Sequence, residues 1–93
     1  MSGLRIDKLL WFLRLAKSRS LAQKMIAAGE VRIDGARPAN AHAVVQPGQT
    51  LILTAHDRFR VVRVDILPVR RGPAPEAQAC YTELAPSRPI DAL

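Results

Sequence analysis

The sequence predicts an α+β fold in which two helices precede a set of short strands. Apolar residues recur at spacings of three and four between residues 6 and 28, which is the helical period. After Glu30 the period changes to two, which is the period of a strand. Five prolines between residues 68 and 93 disfavour a long regular element at the C-terminal end. The 93 residues are enough for one domain with a modest core.

The first helix is predicted over residues 6–16. Its buried stripe contains the apolar residues Leu9, Phe12, Leu13 and Ala16. Asp7, Trp11 and Arg14 form a second stripe on another side of this helix, which we expect to be available to a partner. Trp11 could stack on a base or ribose, or it could pack by covering the helix pair or meeting the C-terminal segment, and we favour packing over stacking. Asp7 is expected to pair with a nearby arginine or to cap the helix.

The second helix is predicted from about Arg19 to Ala28. Ser18 and Ser20 can each accept a backbone N–H bond at its start, and Ser20 with Gln23 matches a capping box. Gly29 stands where helices commonly end in a left-handed residue. Its apolar residues repeat at helical spacing, so we expect the two helices to pack as a pair.

Short strands follow the helices. Val31 to Ile33 is expected to be a strand that enters a tight turn at Asp34-Gly35, and Val44-Val45 is a second short candidate. Thr50 to Ala55 is suited to a buried strand, and His56-Asp57 is predicted to turn the chain into a strand over Arg58 to Leu67. In that last strand the apolar residues stand at odd-numbered positions up to Val61 and at even-numbered positions from Val62 onwards, which predicts a β-bulge there. The arginines at 58, 60 and 63 suggest the polar face of an edge strand.

The proline-rich segment over residues 68–93 leaves only Glu76 to Leu84 free for a short helix or a docked segment. Its expected apolar contacts are Cys80, Tyr81 and Leu84. A single cysteine fits a structural role in a reducing compartment. Charged residues interrupt the N-terminal apolar run, so it does not resemble a signal peptide, and no run is long enough to span a membrane. We therefore expect a cytoplasmic protein.

Positive charge is concentrated in the first half of the chain. Residues 5–37 contain eight of the 14 Lys and Arg residues and only three acids, Asp7, Glu30 and Asp34. These positive residues alternate with helix-forming apolar residues, so the charge must lie on a folded surface. A basic folded surface is typical of proteins that bind nucleic acid.

Several motifs resemble the S4 RNA-binding domain. They are Arg5-Ile6-Asp7-Lys8-Leu9-Leu10, Arg14-Leu15-Ala16-Lys17-Ser18-Arg19, Ala22, Ile26, Gly29, Val31, Ile33, Asp34-Gly35 and Val45-Gln46-Pro47-Gly48. Trp11 in a KLLWFLR context, and the segment from Arg70 to Ala77 with Tyr81, further resemble the heat-shock-protein-15 family of small S4 proteins. Together these resemblances cover about residues 4 to 84.

The resemblance implies an α-L fold, with two helices against a small, mostly antiparallel sheet. It implies an S4 RNA-binding domain over residues 1–68 and a C-terminal extension over residues 69–93 that is docked or partly disordered. It also implies binding to rRNA and tRNA on large ribosomal subunits that have stalled, in ribosome quality control or a stress response. We expect a monomer that needs no cofactor or metal.

The expected RNA-binding residues lie on the two helices and on the first strand and its turn. They are Arg5, Lys8, Arg14, Lys17, Ser18, Arg19, Gln23, Lys24, Arg32 and Arg37. Structured RNA is recognised mainly through phosphates, 2′-hydroxyls and shape, which requires clustered cations on a rigid frame. Ser18 and Arg19 at the start of the second helix form the best single phosphate site, because free N–H groups there also attract anions.

Three other functions compete with RNA binding by a free-standing module. S4 domains are also attached to RNA-modifying enzymes, so the chain could serve such an enzyme as an accessory module. Trp11 and Tyr81 could instead contact a protein partner. DNA binding is possible on charge alone, but no helix-turn-helix pattern is evident. The sequence shows no catalytic triad, paired carboxylates or glycine-rich phosphate loop, so we predict that the chain is not an enzyme.

Overall fold

The computed structural model describes residues 3–54 and 58–89, the last five of these by backbone alone. It confirms the α+β class, with two helices packed on an antiparallel sheet. In chain order the elements are β1 (Leu4–Arg5), α1 (Ile6–Phe12), α2 (Arg19–Ala27), β2 (Val31–Ile33), β3 (Val44–Val45), β4 (Thr50–Leu53), β5 (Arg58–Val64), α3 (Ala74–Gln78) and β6 (Tyr81–Pro89). The predicted turn at residues 56 and 57 lies outside the described residues.

Helix α1 is shorter than predicted because the chain turns sharply after Phe12. Arg14 has a φ of 61°, and the N–H groups of Leu15 and Ala16 both donate to the Leu10 carbonyl, at 2.9 and 3.1 Å. The predicted apolar stripe is still buried, since Leu13 and Ala16 are 1% and 2% exposed although they lie beyond the helix. The side-chain pattern was therefore correct, and the predicted helix end was wrong.

Helix α2 begins where the sequence predicted, and Ser18 caps it. The Ser18 hydroxyl oxygen accepts the Leu21 N–H at 3.0 Å. The alternative capping box of Ser20 and Gln23 does not form, because Ser20 lies inside the helix and the Gln23 amide donates to Asp7 instead. Gly29 follows the helix with a φ of 77°, as predicted for its left-handed position.

The main sheet has four antiparallel strands in the order β2-β4-β5-β6, and β1 pairs separately with β3. After β2, Asp34 and Gly35 have φ angles of 51° and 85°, which are the positive values of a tight type I′ turn. The pairing of β4 with β5 is regular, with Leu51 opposite Val62. Because β5 lies between β4 and β6, the interpretation of its arginines as an edge face was wrong.

Strand β6 is nine residues long despite Pro86 and Pro89, contrary to the expectation that prolines would prevent a long element. It lies at the edge of the sheet, where a backbone N–H on the free side needs no partner, so proline is tolerated. Its pairing with β5 shifts between Phe59 and Val61 and again between Val61 and Val62. The irregularity thus lies where the bulge was predicted, but the extra residues are in β6 and not in β5.

The core lies between the helix pair and the sheet. Leu9, Leu10 and Leu13 from the helical half meet Leu51 and Val62 from the sheet, all essentially without solvent exposure. Cys80 and Tyr81 are partly buried against this core, as expected. Leu84 was expected to make an apolar contact, but it is 47% exposed. The core thus fixes α1, α2 and the junction between them, where seven of the ten predicted RNA-binding residues lie.

Candidate nucleic-acid interface

A buried carboxylate organises the basic surface of the helix pair. Asp7 in the first turn of α1 is completely buried, so the expectation that it lies on an available stripe was wrong. It accepts two hydrogen bonds from Arg5, at 3.1 and 2.9 Å, and one from the Gln23 amide at 2.9 Å. The Lys8 backbone N–H donates at 2.7 Å, and Arg19 approaches at 3.4 Å. The structure therefore shows the predicted pairing of Asp7 with an arginine, and adds three further donors.

The environment of Asp7 stabilises its charged form. Burial acts to raise the pKa of this carboxyl, but the hydrogen bonds from Arg5, Gln23 and the Lys8 N–H, together with the Arg19 charge, lower it from 3.8 to about 2. Asp7 therefore remains ionised at neutral pH. We call Asp7 and the side chains that contact it, those of Arg5, Arg19 and Gln23, the Asp7 cluster. One negative charge is shared there by two guanidinium groups, so the cluster keeps a net charge of about +1.

The cluster fixes the positions of two predicted RNA-binding arginines without hiding them. The Arg5 and Arg19 side chains are 39% and 40% exposed, although each contacts the buried Asp7. The Arg19 Nε is buried and has no hydrogen-bond partner among the described residues. Because Arg5, Arg19 and Gln23 come from β1 and α2 and meet at one carboxylate, the structure brings three of the predicted residues together.

Other predicted residues surround this cluster as exposed or half-exposed side chains. Lys17, Ser18 and Lys24 are exposed, and the Lys8 ammonium lies 5.3 Å from the centre of the Phe12 ring. Ser18 uses its oxygen to cap α2, which leaves the hydroxyl hydrogen free to donate. The junction between the helices thus presents donors next to Arg19.

The remaining three predicted residues are directed elsewhere. Arg14 donates to the Gly72 carbonyl at 2.6 Å, so it faces the C-terminal segment. Arg32 donates to Gly35, and Arg37 donates to the Ala27 carbonyl at the end of α2 at 2.7 Å. Arg37 also lines a groove of about 610 Å³ between α2 and residues 37–41, and Gln23 lines the same groove. The groove therefore connects Arg37 with the Asp7 cluster.

The C-terminal segment contacts α1 at Trp11, which was one of the two packing roles considered for this residue. Arg71 donates to the Trp11 carbonyl at 3.0 Å, and its guanidinium lies 5.8 Å from the centre of the Trp11 ring. Trp11 also packs against Phe12, with 5.6 Å between ring centres. Trp11 is thus half-buried by packing, in agreement with the role we favoured. The sequence suggested the C-terminal segment as a partner of Trp11, but it did not identify Arg71 as the contacting residue.

Cations of the helix pair and of the sheet differ in whether each has a carboxylate of its own. Arg60, Arg63 and Arg70 each pair with a carboxylate of their own, those of Glu83, Asp65 and Glu76, at 2.7 to 2.8 Å. In the first half of the chain only Arg5 and Arg19 have a described carboxylate within ion-pair distance, and they share it. Among the described residues, no group of three His, Cys, Asp or Glu side chains could hold a metal ion, and no helix could span a membrane.

Comparison with known proteins places this chain in a family. The S4 domain profile matches residues 4–51, which include α1, α2, β2 and the start of β4. Heat shock protein 15 of Escherichia coli K12 is 39% identical over 83 residues, or 89% of this chain and 62% of that protein. The Haemophilus influenzae homologue is 37% identical over 79 residues, or 85% of this chain and 60% of that protein. The chain thus spans less than two thirds of the length of these relatives.

A solved structure agrees with the sequence comparison. Heat shock protein 15 of Vibrio cholerae, described as trimeric, superposes with a TM-score of 0.81 at 36% identity, covering 90% of this chain and 84% of that one. The match includes the region beyond the S4 profile, so the shared structure extends to the C-terminal segment. The chain belongs to the S4 domain family and is a homologue of heat shock protein 15.

Proposed function

We propose that this protein binds structured RNA through the helix pair, without catalysing a reaction. Its RNA would be rRNA and tRNA on the large ribosomal subunit, and its role the rescue or quality control of stalled subunits in the cytoplasm. The observation that carries the proposal is the surplus of cations without a described carboxylate partner on α1, α2 and their junction, next to two arginines oriented by Asp7.

The Asp7 cluster supports binding because it orders two arginines in advance. A free arginine loses rotamer freedom when it grips a phosphate, and this loss weakens binding. Asp7 already restricts Arg5 and Arg19, while about 40% of each side chain stays accessible. The Ser18 hydroxyl and the exposed N-terminus of α2 add neutral donors beside them. This combination suits an RNA backbone, whose phosphates and 2′-hydroxyls are both hydrogen-bond acceptors.

The ribosomal part of the proposal depends on membership of the heat shock protein 15 group. The structure supports it through the likeness over 90% of the chain, which includes the segment that contacts Trp11. The predicted monomer finds no support from the Vibrio cholerae relative, which is described as trimeric. The oligomeric state in the presence and absence of RNA can be measured by light scattering.

The test is the salt dependence of binding to labelled tRNA and to purified large ribosomal subunits. If about five phosphates are neutralised, log affinity should fall against log salt with a slope of about −3.5 to −4.5. Replacing Lys17 and Lys24 by glutamine should reduce the size of this slope by about 1.5, since each lost phosphate contact removes about 0.7 to 0.9.

A matched control removes the same two charges from paired positions. The double change Arg63→Gln and Arg70→Gln alters arginines that already face Asp65 and Glu76. We expect its slope to remain close to that of the original protein. A flat salt response of the unmodified protein, or an equal loss in both double variants, would contradict RNA binding by the helix pair.

A further inference from the structure

A small polar pocket lies where the C-terminal segment meets the end of α1. It has a volume of about 260 Å³ and is lined by Arg14, Arg60, Gln78 and Tyr81, with Leu13 and Ala77 among its apolar residues. These side chains come from the turn after α1, from β5, from α3 and from β6. All four polar residues carry hydrogen-bond donors, and no carboxylate lines the pocket. Its chemistry therefore suits a group that accepts hydrogen bonds and carries negative charge.

The balance of charges at the pocket indicates how much negative charge it would accept. Arg60 is held by Glu83 through two hydrogen bonds, at 2.7 and 3.1 Å, so its charge is already compensated. Arg14 donates through Nε to the neutral Gly72 carbonyl, and it forms no ion pair with a described carboxylate. The pocket thus presents one net positive charge. A phosphodiester carries one negative charge, whereas a phosphate monoester carries about 1.5 to 2 near neutral pH.

The backbone at Arg14 indicates that its side chain has a role. Its φ of 61° lies in the left-handed region, where an ordinary residue costs about 1–2 kcal/mol and glycine costs almost nothing. Bonds from Leu15 and Ala16 to Leu10 hold the chain in this turn. An arginine at this position keeps a guanidinium between α1 and the C-terminal segment, and its Nε bond to Gly72 orients the group.

We propose that this pocket binds one phosphodiester group of RNA, so that the RNA interface extends from the helix pair to the C-terminal segment. The inference rests on the proposed function. Asp7 lies in the first turn of α1 and Arg14 in the turn that follows this helix, whose seven residues span about 10 Å along its axis. RNA held at the Asp7 cluster can therefore reach the pocket along α1. An acidic protein side chain has the same charge, but this continuity with α1 favours RNA.

The test changes the charge of the pocket without changing a residue of the helix pair. Gln78→Glu places a carboxylate beside Arg14 and cancels the net charge, and Gln78 is exposed, so folding should be unaffected. Gln46→Glu is the matched control, because it makes the same substitution at an exposed residue outside the pocket. With labelled tRNA, Gln78→Glu should bind about fivefold more weakly and lose about 0.7 to 0.9 from the salt slope. Gln46→Glu should bind like the original protein.

Nuclear magnetic resonance then identifies what the pocket binds. Adding tRNA should shift the backbone amide signals of Gln78 and Tyr81, while inorganic phosphate at equal concentration should leave them in place. Equal binding by Gln78→Glu and the original protein, both with steep salt slopes, would overturn the pocket and leave the proposed function intact. Signals that shift as much with free phosphate, or with an acidic peptide and not with tRNA, would also overturn it. Absence of tRNA binding by the original protein would overturn both proposals.

Discussion

Replacing Asp7 by asparagine should lower stability markedly. The folded protein lowers the pKa of Asp7 from 3.8 to about 2, and one pKa unit corresponds to about 1.4 kcal/mol, so the charged form contributes about 2.5 kcal/mol. Removing one member of a buried ion pair commonly costs about 3–5 kcal/mol, but Arg5 and Arg19 are partly exposed and water can compensate for some of this loss. We therefore expect a loss of about 2–3 kcal/mol.

Thermal unfolding followed by circular dichroism measures this loss. For a domain of this size, 1 kcal/mol shifts the melting temperature by about 4–8 °C, so Asp7→Asn should melt about 10–20 °C lower. Asp65→Asn is a suitable control, because Asp65 also faces an arginine but lies on the surface. Its effect should be much smaller, as is usual for exposed ion pairs. A melting temperature of Asp7→Asn within about 3 °C of the original would refute the role assigned to this carboxylate.

The same variant separates orientation of the arginines from bulk charge. Asp7→Asn raises the formal net charge of +6 by one, so attraction by charge alone predicts tighter RNA binding. Ordering a flexible side chain on binding costs about 0.5–1.5 kcal/mol, and the variant releases two arginines. We therefore expect about fivefold weaker binding or more, measured below the melting transition. Tighter binding would show that the arginines need no fixed positions.

Three further outcomes follow from the structure. The stability that Asp7 contributes should be present above about pH 4 and lost as pH falls towards 2, because its pKa is lowered in the folded state. The free energies of unfolding of the original protein and of Asp7→Asn, measured against pH, should therefore converge at low pH. Ser18→Ala removes the cap of α2 and should cost about 0.5–2 kcal/mol in urea unfolding, whereas Ser20→Ala, inside the helix, should cost less. Val62→Ala in the core should cost more than about 1 kcal/mol in the same assay, whereas Leu84→Ala at an exposed position should change stability by less than about 0.5 kcal/mol.

Local patterns predicted α1, α2 and the positions of strands β2 to β5, because their signals lie within a few residues. The start of α2, the left-handed Gly29 and the turn at Asp34 and Gly35 all depend on such local chemistry. The end of α1 could not be predicted in this way. Leu13 and Ala16 keep a helical spacing and are buried, yet the chain that carries them is a turn and not a helix.

Long-range pairing accounts for the features that the sequence did not predict. Strand β1 has two residues and forms only because it pairs with Val44 and Val45. Strand β6 forms against the prolines because β5 offers a free edge. The donors at Asp7 come from residues 2, 12 and 16 positions away, as well as from the next backbone N–H. The residues next to Asp7 in sequence therefore predict that it pairs with an arginine, but they do not predict its distant partners Arg19 and Gln23.

The positions of the carboxylates make the net positive charge of the protein uneven over its surface. On the sheet and the C-terminal segment, Arg60, Arg63 and Arg70 each have a separate acid, so these positions add little net field. On the helix pair, one buried acid serves two arginines, and the nearby lysines 17 and 24 have no described acid within ion-pair distance. Exposed ion pairs contribute little to stability, so the main consequence of the pairs on the sheet is for the distribution of charge. By leaving the helix pair as the main attractive surface for a polyanion, they favour one orientation of approach.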